Sequence, residues 1–144
     1  VTAGDTSRQA NLYPVKGNPP MMKVLIVDDS AVMRKVIIRE LLKCGVEAGN
    51  ITEAGDGLEG LEAASKDSFN LILMDWNMPG MLGIDVVRKL REVGISTPIM
   101  MVTTEGEKTN VVLAIQAGAN NYLVKPFTPE DFAQKFQQLT GSVA

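Results

Sequence analysis

The chain of 144 residues contains no histidine and a single cysteine, Cys44. Without histidine, the chain cannot form a Ser-His or Cys-His nucleophile pair or a zinc site with histidine ligands. One cysteine excludes an intramolecular disulfide and is typical of proteins from a reducing compartment. The function classes that remain are those that use carboxylates, hydroxyls and amines.

The sequence also lacks basic clusters and long apolar runs. The net charge is −3 and the pI is near 5.0. Binding to a nucleic-acid backbone needs clustered Lys and Arg, so we expect no nucleic-acid partner. The longest apolar runs are four or five residues, far short of the roughly 20 that span a bilayer. We therefore expect a cytoplasmic protein that does not enter a membrane.

Four short apolar runs are each followed by a polar residue. Residues 24–27 precede Asp28 and Asp29, 71–74 precede Asp75, 99–102 precede Thr103, and 122–124 precede Lys125. Short apolar runs bounded by turn signals are typical of buried strands in a parallel sheet. A fifth, less apolar run at 51–54 completes the predicted strands.

Helical patterns alternate with these runs. We predict helices over 30–44, 57–65, 84–93, 108–117 and 128–139. Five strand-helix units predict an α/β fold of the flavodoxin-like (βα)5 kind, with a doubly wound parallel sheet. The strand near Ile51 is the least apolar and the one near Tyr122 is short, so both are placed at the edges. The implied strand order is 2-1-3-4-5.

The polar residues after the strands are expected to meet in one crevice, because parallel strands share the edge where their carboxyl ends lie. Asp28, Asp29 and Asp75 would then form a cluster of three carboxylates, which repel one another unless a cation binds. Oxygen ligands without histidine or cysteine favour Mg²⁺. Each residue alone has a plainer interpretation. Asp28 and Asp29 could be no more than helix-capping residues, and Lys125 could be an ordinary surface lysine.

The sequence alone does not decide which threonine hydroxyl faces the crevice. Thr103 is followed by Thr104, so which of the two faces the crevice depends on the register of the strand. Threonine is also common in strands for reasons unrelated to chemistry.

Three motifs now carry a family resemblance: DWNMP at 75–79, MVT at 101–103 and KPFT at 125–128. With them, residues 23–139 resemble the receiver domain of two-component response regulators, most closely its CheY-type chemotaxis subgroup. Leu82 departs from the pattern, because many receivers have an acidic residue before the loop glycine, here Gly83. We expect this change to affect the loop surface and not the chemistry.

The resemblance implies a role for each site residue. Asp75 is the phosphoacceptor, and Thr103 and Lys125 contact the phosphoryl oxygens. Asp28, Asp29, Asp75 and the backbone carbonyl of Asn77 hold Mg²⁺. Tyr122 is the switch aromatic, and the side chains of Asn77 and Glu105 flank the path of the hydrolytic water. The Lys125–Pro126 bond corresponds to one that is cis in the family.

The implied function is a phosphorylation-activated signalling switch. A sensor histidine kinase is the phosphodonor, since a chain without histidine cannot supply a phosphohistidine of its own. The chain would catalyse its own Mg²⁺-dependent phosphorylation and dephosphorylation, but act mainly as a monomeric signalling protein. Its downstream partner would be a flagellar motor switch or another signalling protein. That partner would bind a face formed by helix 108–117, the Tyr122 strand and helix 128–139, with Lys135 on its exposed side.

Two other protein classes fit the residues less well. An aspartyl-phosphate phosphatase would need a second acid two residues after its nucleophile, where this chain has Asn77. A flavodoxin would need a neutral phosphate-binding loop after the first strand, where Asp28 and Asp29 would repel the flavin phosphate.

The receiver domain is predicted to span residues 21–144. Residues 1–20 show no periodicity, contain several Gly and Pro, and are expected to be a flexible, tag-like or processed leader. The missing initiator methionine and the Met21-Met22 pair support that expectation. Only residues 140–144 follow the last predicted helix, so a receiver excised from a larger regulator with a separate output domain remains the alternative.

Overall fold

A computed structural model of the chain describes residues 22–141. The predicted leader, residues 1–20, lies outside this range. The strands are β1 (Val24–Val27), β2 (Ile51–Ala54), β3 (Leu71–Met74), β4 (Ile99–Thr103) and β5 (Asn121–Val124). They form one parallel sheet in the order β2-β1-β3-β4-β5, which confirms the predicted fold class and strand order.

Helices follow each strand of the described range. They are α1 (Ala31–Lys43), α2 (Gly57–Lys66), α3 (Gly83–Glu92), α4 (Lys108–Ala117) and α5 (Pro129–Thr140), with a short 3-10 helix at Ala48–Asn50. Most predicted ends differ from these by one residue. Gly45, Gly94 and Gly118 follow three of the helices and have positive φ angles, a conformation typical of the residue that ends a helix.

The sheet is covered on both faces. Helices α1 and α5 pack on one face through Ile37, Leu41, Phe132 and Phe136. Helices α2, α3 and α4 cover the other face, where α3 contributes most of the helical side chains. Strands β1, β3 and β4 are buried along their whole length, whereas β2 and β5 have exposed residues. The two predicted edge strands are therefore confirmed.

Two helices bury different residues from those that their apolar pattern indicates. In α2, Leu58 is 59% exposed, while Gly60 packs so closely on β1 that a Cβ there would lie 2.8 Å from Val27. In α4 only Ala114 is buried, and Val112 and Ile115 are exposed. Small residues allow these helices to approach the sheet. Leu61 and Val111 pack partly against the core, and the other large apolar side chains of the two helices are left on the surface.

Candidate functional site

The carboxyl ends of four neighbouring strands bring the predicted site residues to one edge of the sheet. Parallel pairing places Val27 beside Met74, Met74 beside Met101, and Thr103 beside Val124. Asp28, Asp75 and Lys125 each follow directly after one of these strands, and Thr103 is the last residue of β4. The sequence prediction that these residues meet is confirmed.

The three aspartates form a compact cluster. Asp28, Asp29 and Asp75 each offer a carboxylate oxygen, and these oxygens lie within 4.8 Å of one another. Asp28 and Asp75 are buried, whereas Asp29 is exposed. A donor set of oxygens alone, open to solvent on the Asp29 side, fits a hard divalent cation that keeps part of its water shell.

Asp28 is held by contacts on both carboxylate oxygens. Its Oδ1 accepts a hydrogen bond from the backbone N–H of Ser30 at 2.8 Å, and its Oδ2 lies 3.0 Å from Nζ of Lys125. Nζ is farther from Asp75, at 3.7 Å from Oδ1. The nearest ionic partner of Lys125 is thus Asp28, and Asp75 lies farther away.

Asp75 lies in a setting that disfavours its charge. Burial raises the pKa of the Asp75 carboxyl, and the negative charge of Asp28 raises it further. Lys125, the backbone N–H of Trp76 and the side chain of Thr103 act in the opposite direction on this pKa. The Trp76 N–H donates to Oδ1 at 2.8 Å, while the Asp75 N–H donates to the Val27 carbonyl at 2.9 Å. A cation bound between Asp28 and Asp75 would relieve the repulsion.

The structure resolves the choice between the two threonines. Thr103 is fully buried at the end of β4, and its Oγ1 accepts a hydrogen bond from the Glu105 N–H at 3.3 Å. Thr104 is exposed. The hydroxyl that borders the acidic cluster is therefore that of Thr103.

Residues 24–137 match the family described as the response regulator receiver domain. The chain belongs to this family. Residues 24–137 include every strand and every residue of the site described above.

Individual receivers of the chemotaxis type are similar over most of their length. Chemotaxis protein CheY1 of Helicobacter pylori is 43% identical over 124 residues, which are 84% of this chain and 98% of that protein. Chemotaxis protein CheY-3 of Vibrio cholerae is 40% identical over 82% of this chain and 91% of its own length. The crystal structure of Vibrio cholerae CheY4 superposes with a TM-score of 0.74 at 37% identity, covering 83% of this chain and 98% of that one.

Tyr122 of this receiver lies inside the protein. Its side chain is buried, and its hydroxyl donates a hydrogen bond to the Glu105 carbonyl. Burial, with the negative charges of Glu105 and Asp75, raises the pKa of Tyr122 to about 12. The phenol therefore stays protonated and able to donate this hydrogen bond at any pH at which the receiver would work.

Glu105 links the site to helix α4. Its carboxylate accepts hydrogen bonds from Nδ2 of Asn77 at 2.7 Å and from Nδ2 of Asn110 at 3.2 Å. Asn77 follows Asp75 by two residues, and Asn110 lies in the first turn of α4. The family resemblance pointed to Asn77 and Glu105 but not to Asn110, because no local pattern marks an asparagine in the first turn of a helix.

Gly83 packs closely against the backbone of Asp75 and Trp76. Its N–H donates to the Trp76 carbonyl at 2.8 Å, and a Cβ at this position would lie 1.8 Å from the Asp75 carbonyl oxygen. Leu82 precedes it as the N-cap residue of α3, is 41% exposed, and makes no side-chain cap. The side chain of Leu82 thus lies on the surface of this loop.

Two further expectations concern the receiver as a whole. The Lys125–Pro126 bond is cis, as the resemblance implied. None of the helices between residues 22 and 141 has the length and apolar character that crossing a bilayer requires.

Proposed function

We propose that this receiver is a phosphorylation-activated switch of a chemotaxis-type two-component system, with Asp75 as the phosphoacceptor. One observation carries the proposal: the buried Asp75 carboxylate lies beside two further aspartates and a lysine at the carboxyl edge of the sheet. CheY-like receivers interact with histidine kinases and with downstream signalling proteins. By the same analogy, the donor to Asp75 is a phosphohistidine of a sensor kinase.

In the proposed reaction an Asp75 carboxylate oxygen attacks the phosphorus in line. The P–O bond forms as the P–N bond to the donor histidine breaks, and the imidazole leaves with the bonding electron pair. Asp28, Asp29, Asp75 and the Asn77 carbonyl would hold Mg²⁺, which supplies positive charge to the phosphoryl oxygens. Lys125 is close enough to Asp75 to add a second positive charge, and such charge stabilisation is the main catalytic contribution in phosphoryl transfer.

The proposed readout is a shift between two conformations. Thr103 and Lys125 would contact the phosphoryl oxygens, and both lie at the ends of strands that border α4 and α5. Thr103 Oγ1 is bonded to the Glu105 N–H, and the Glu105 carbonyl is bonded to Tyr122. A movement of Thr103 toward a phosphoryl group would therefore displace the residue that holds Tyr122 and Asn110.

The central experiment uses the fluorescence of Trp76. The backbone N–H of this residue donates to the Asp75 carboxylate, and its indole side chain is buried. We expect millimolar Mg²⁺ to change the Trp76 emission, and beryllofluoride or acetyl phosphate to change it again. Trp76 is the only tryptophan of the chain, so the signal has one source. Fluorescence titration at constant ionic strength measures both steps.

The variant that tests the metal assignment is Asp29→Asn, which removes one charge from the exposed side of the cluster. It should shift the Mg²⁺ midpoint to higher concentration without unfolding the chain. An emission spectrum of the wild type that responds to neither Mg²⁺ nor beryllofluoride would show that the proposed metal and phosphoryl site is wrong.

A second prediction concerns the output surface. Helix α4 and strand β5 expose Val112, Ile115 and Val124, and the same strand carries the buried Tyr122. We expect phosphorylation to strengthen binding of a protein partner, such as a flagellar motor switch component, at this face. Lys135, predicted on the exposed side of the face, is half-buried on α5 and contributes less surface than expected.

NMR shift mapping of the beryllofluoride form tests this surface. We expect the largest changes outside the acidic site in α4, β5 and α5. A tenfold gain in partner affinity needs a difference of only ~1.4 kcal/mol between the two states. Shifts confined to α3 and its neighbours on the other side would contradict the proposed output face.

A further inference from the structure

Arg34 makes a contact with the acidic site that its sequence position does not reveal. It lies in the first turn of α1, and its Nη1 donates to the backbone carbonyl of Asp28 at 2.6 Å. Its Nε donates to Oε1 of Glu53 on strand β2 at 2.8 Å. The side chain is only 18% exposed, so the guanidinium is fixed between a strand end and a neighbouring strand.

The carbonyl that Arg34 holds belongs to the peptide joining Asp28 to Asp29. This peptide unit is planar, so fixing its oxygen fixes the plane between the two residues. The Asp28 N–H is bonded to the Ala54 carbonyl at 3.1 Å, so the backbone of Asp28 is held on both sides. The Arg34 contact thereby sets the direction in which the exposed Asp29 leaves the strand, relative to the buried Asp28.

The charge of Arg34 is balanced locally. An uncompensated cation beside the Asp28 carbonyl would oppose the binding of a divalent ion to the three aspartates. Glu53 accepts a charged hydrogen bond from the same guanidinium, so the pair brings little net charge to the cluster. Arg34 can therefore orient the site at little electrostatic cost to cation binding.

We propose that Arg34 is a positioning residue for the divalent-cation site, holding the Asp28–Asp29 peptide so that both carboxylates face the ion. This inference rests on the proposed function, since it assumes that Asp28 and Asp29 bind Mg²⁺. Arg34 reaches the site through the backbone carbonyl of Asp28, so its effect on the carboxylates is indirect.

The variant Arg34→Met tests this proposal, because positioning and simple electrostatics predict opposite signs. Removing a positive charge near three carboxylates would by itself strengthen Mg²⁺ binding. Loss of a positioning contact weakens binding, and changes to groups that orient metal ligands cost about 10–100-fold in affinity. We expect the Mg²⁺ dissociation constant to rise about tenfold, measured by Trp76 fluorescence and by calorimetry.

Lys35→Met is the matched control. Lys35 is the next residue of α1 and is exposed, so its loss removes the same charge without touching the Asp28 carbonyl. We expect this variant to bind Mg²⁺ as well as the wild type or slightly more tightly. If Arg34→Met also binds as tightly as the wild type, Arg34 has no positioning role.

A kinetic readout separates positioning from a general loss of structure. With acetyl phosphate as donor, Arg34→Met should need more Mg²⁺ for half-maximal phosphorylation, yet reach the wild-type rate at saturating Mg²⁺. A lower rate at saturation with an unchanged Mg²⁺ midpoint would overturn the proposal.

Arg34→Lys keeps the test valid if the methionine variant fails to fold. A single ammonium cannot reproduce the fork that reaches both Asp28 and Glu53. We expect its Mg²⁺ affinity to lie between those of the wild type and Arg34→Met, and affinity equal to wild type would refute the role. A wild type that binds no Mg²⁺ at all would instead refute the proposed function.

Discussion

Replacing Asp75 by asparagine should abolish phosphorylation and leave the metal-free protein folded and more stable at neutral pH. The amide keeps the shape of the carboxyl but is not a nucleophile. Burial and Asp28 raise the pKa of Asp75 above its ordinary value of 3.8. The folded state therefore holds this proton to higher pH than the unfolded chain does, and the free energy of unfolding decreases as pH rises through that interval. The neutral amide of the variant removes this cost.

Intact-mass spectrometry after treatment with acetyl phosphate and Mg²⁺ measures the phosphoryl adduct, and urea unfolding without Mg²⁺ measures stability. Asp67→Asn serves as the control. Asp67 pairs with Lys23, which directly precedes β1 and therefore lies at the end of the sheet opposite to Asp75. That variant should still be phosphorylated. A stoichiometric adduct on Asp75→Asn would show that another residue accepts the phosphoryl group.

Gly83→Ala should strongly destabilise the fold. The new Cβ would lie 1.8 Å from the Asp75 carbonyl oxygen and 2.8 Å from its carbonyl carbon. These atoms belong to the backbone, so no side-chain rotation relieves the overlap. We expect a loss of at least about 3 kcal/mol in the free energy of unfolding, at the upper end of overpacking effects.

Gly49→Ala is the matched control for Gly83→Ala. Gly49 lies in the 3-10 helix, its φ is not positive, and a Cβ there would meet no atom within 4 Å. Its effect on stability should stay within about 0.5 kcal/mol. Urea unfolding compares the two, and equal stabilities would show that the Asp75–Gly83 contact is looser than the structure has it. Any folded Gly83→Ala protein should also phosphorylate more slowly, because the backbone of Asp75 must move.

The sequence by itself determined the fold class, the strand order and which strand-end residues meet at one edge of the sheet. Apolar runs of three or four residues define four of the five strands locally, and glycines follow three of the helices. The rule that parallel strands share their carboxyl edge then brings Asp28, Asp75, Thr103 and Lys125 together without any knowledge of distances. These features depend on short segments and on one general property of parallel sheets.

Only the tertiary structure decided how these residues pair. It placed Lys125 nearer to Asp28 than to Asp75, and it buried Thr103 while exposing Thr104. It also brought Arg34 of α1 onto the Asp28 carbonyl and Glu53 of β2, a contact that depends on how a helix and an adjacent strand pack. Small differences in distance between elements far apart in the chain choose among such partners, and local periodicity carries no information about them.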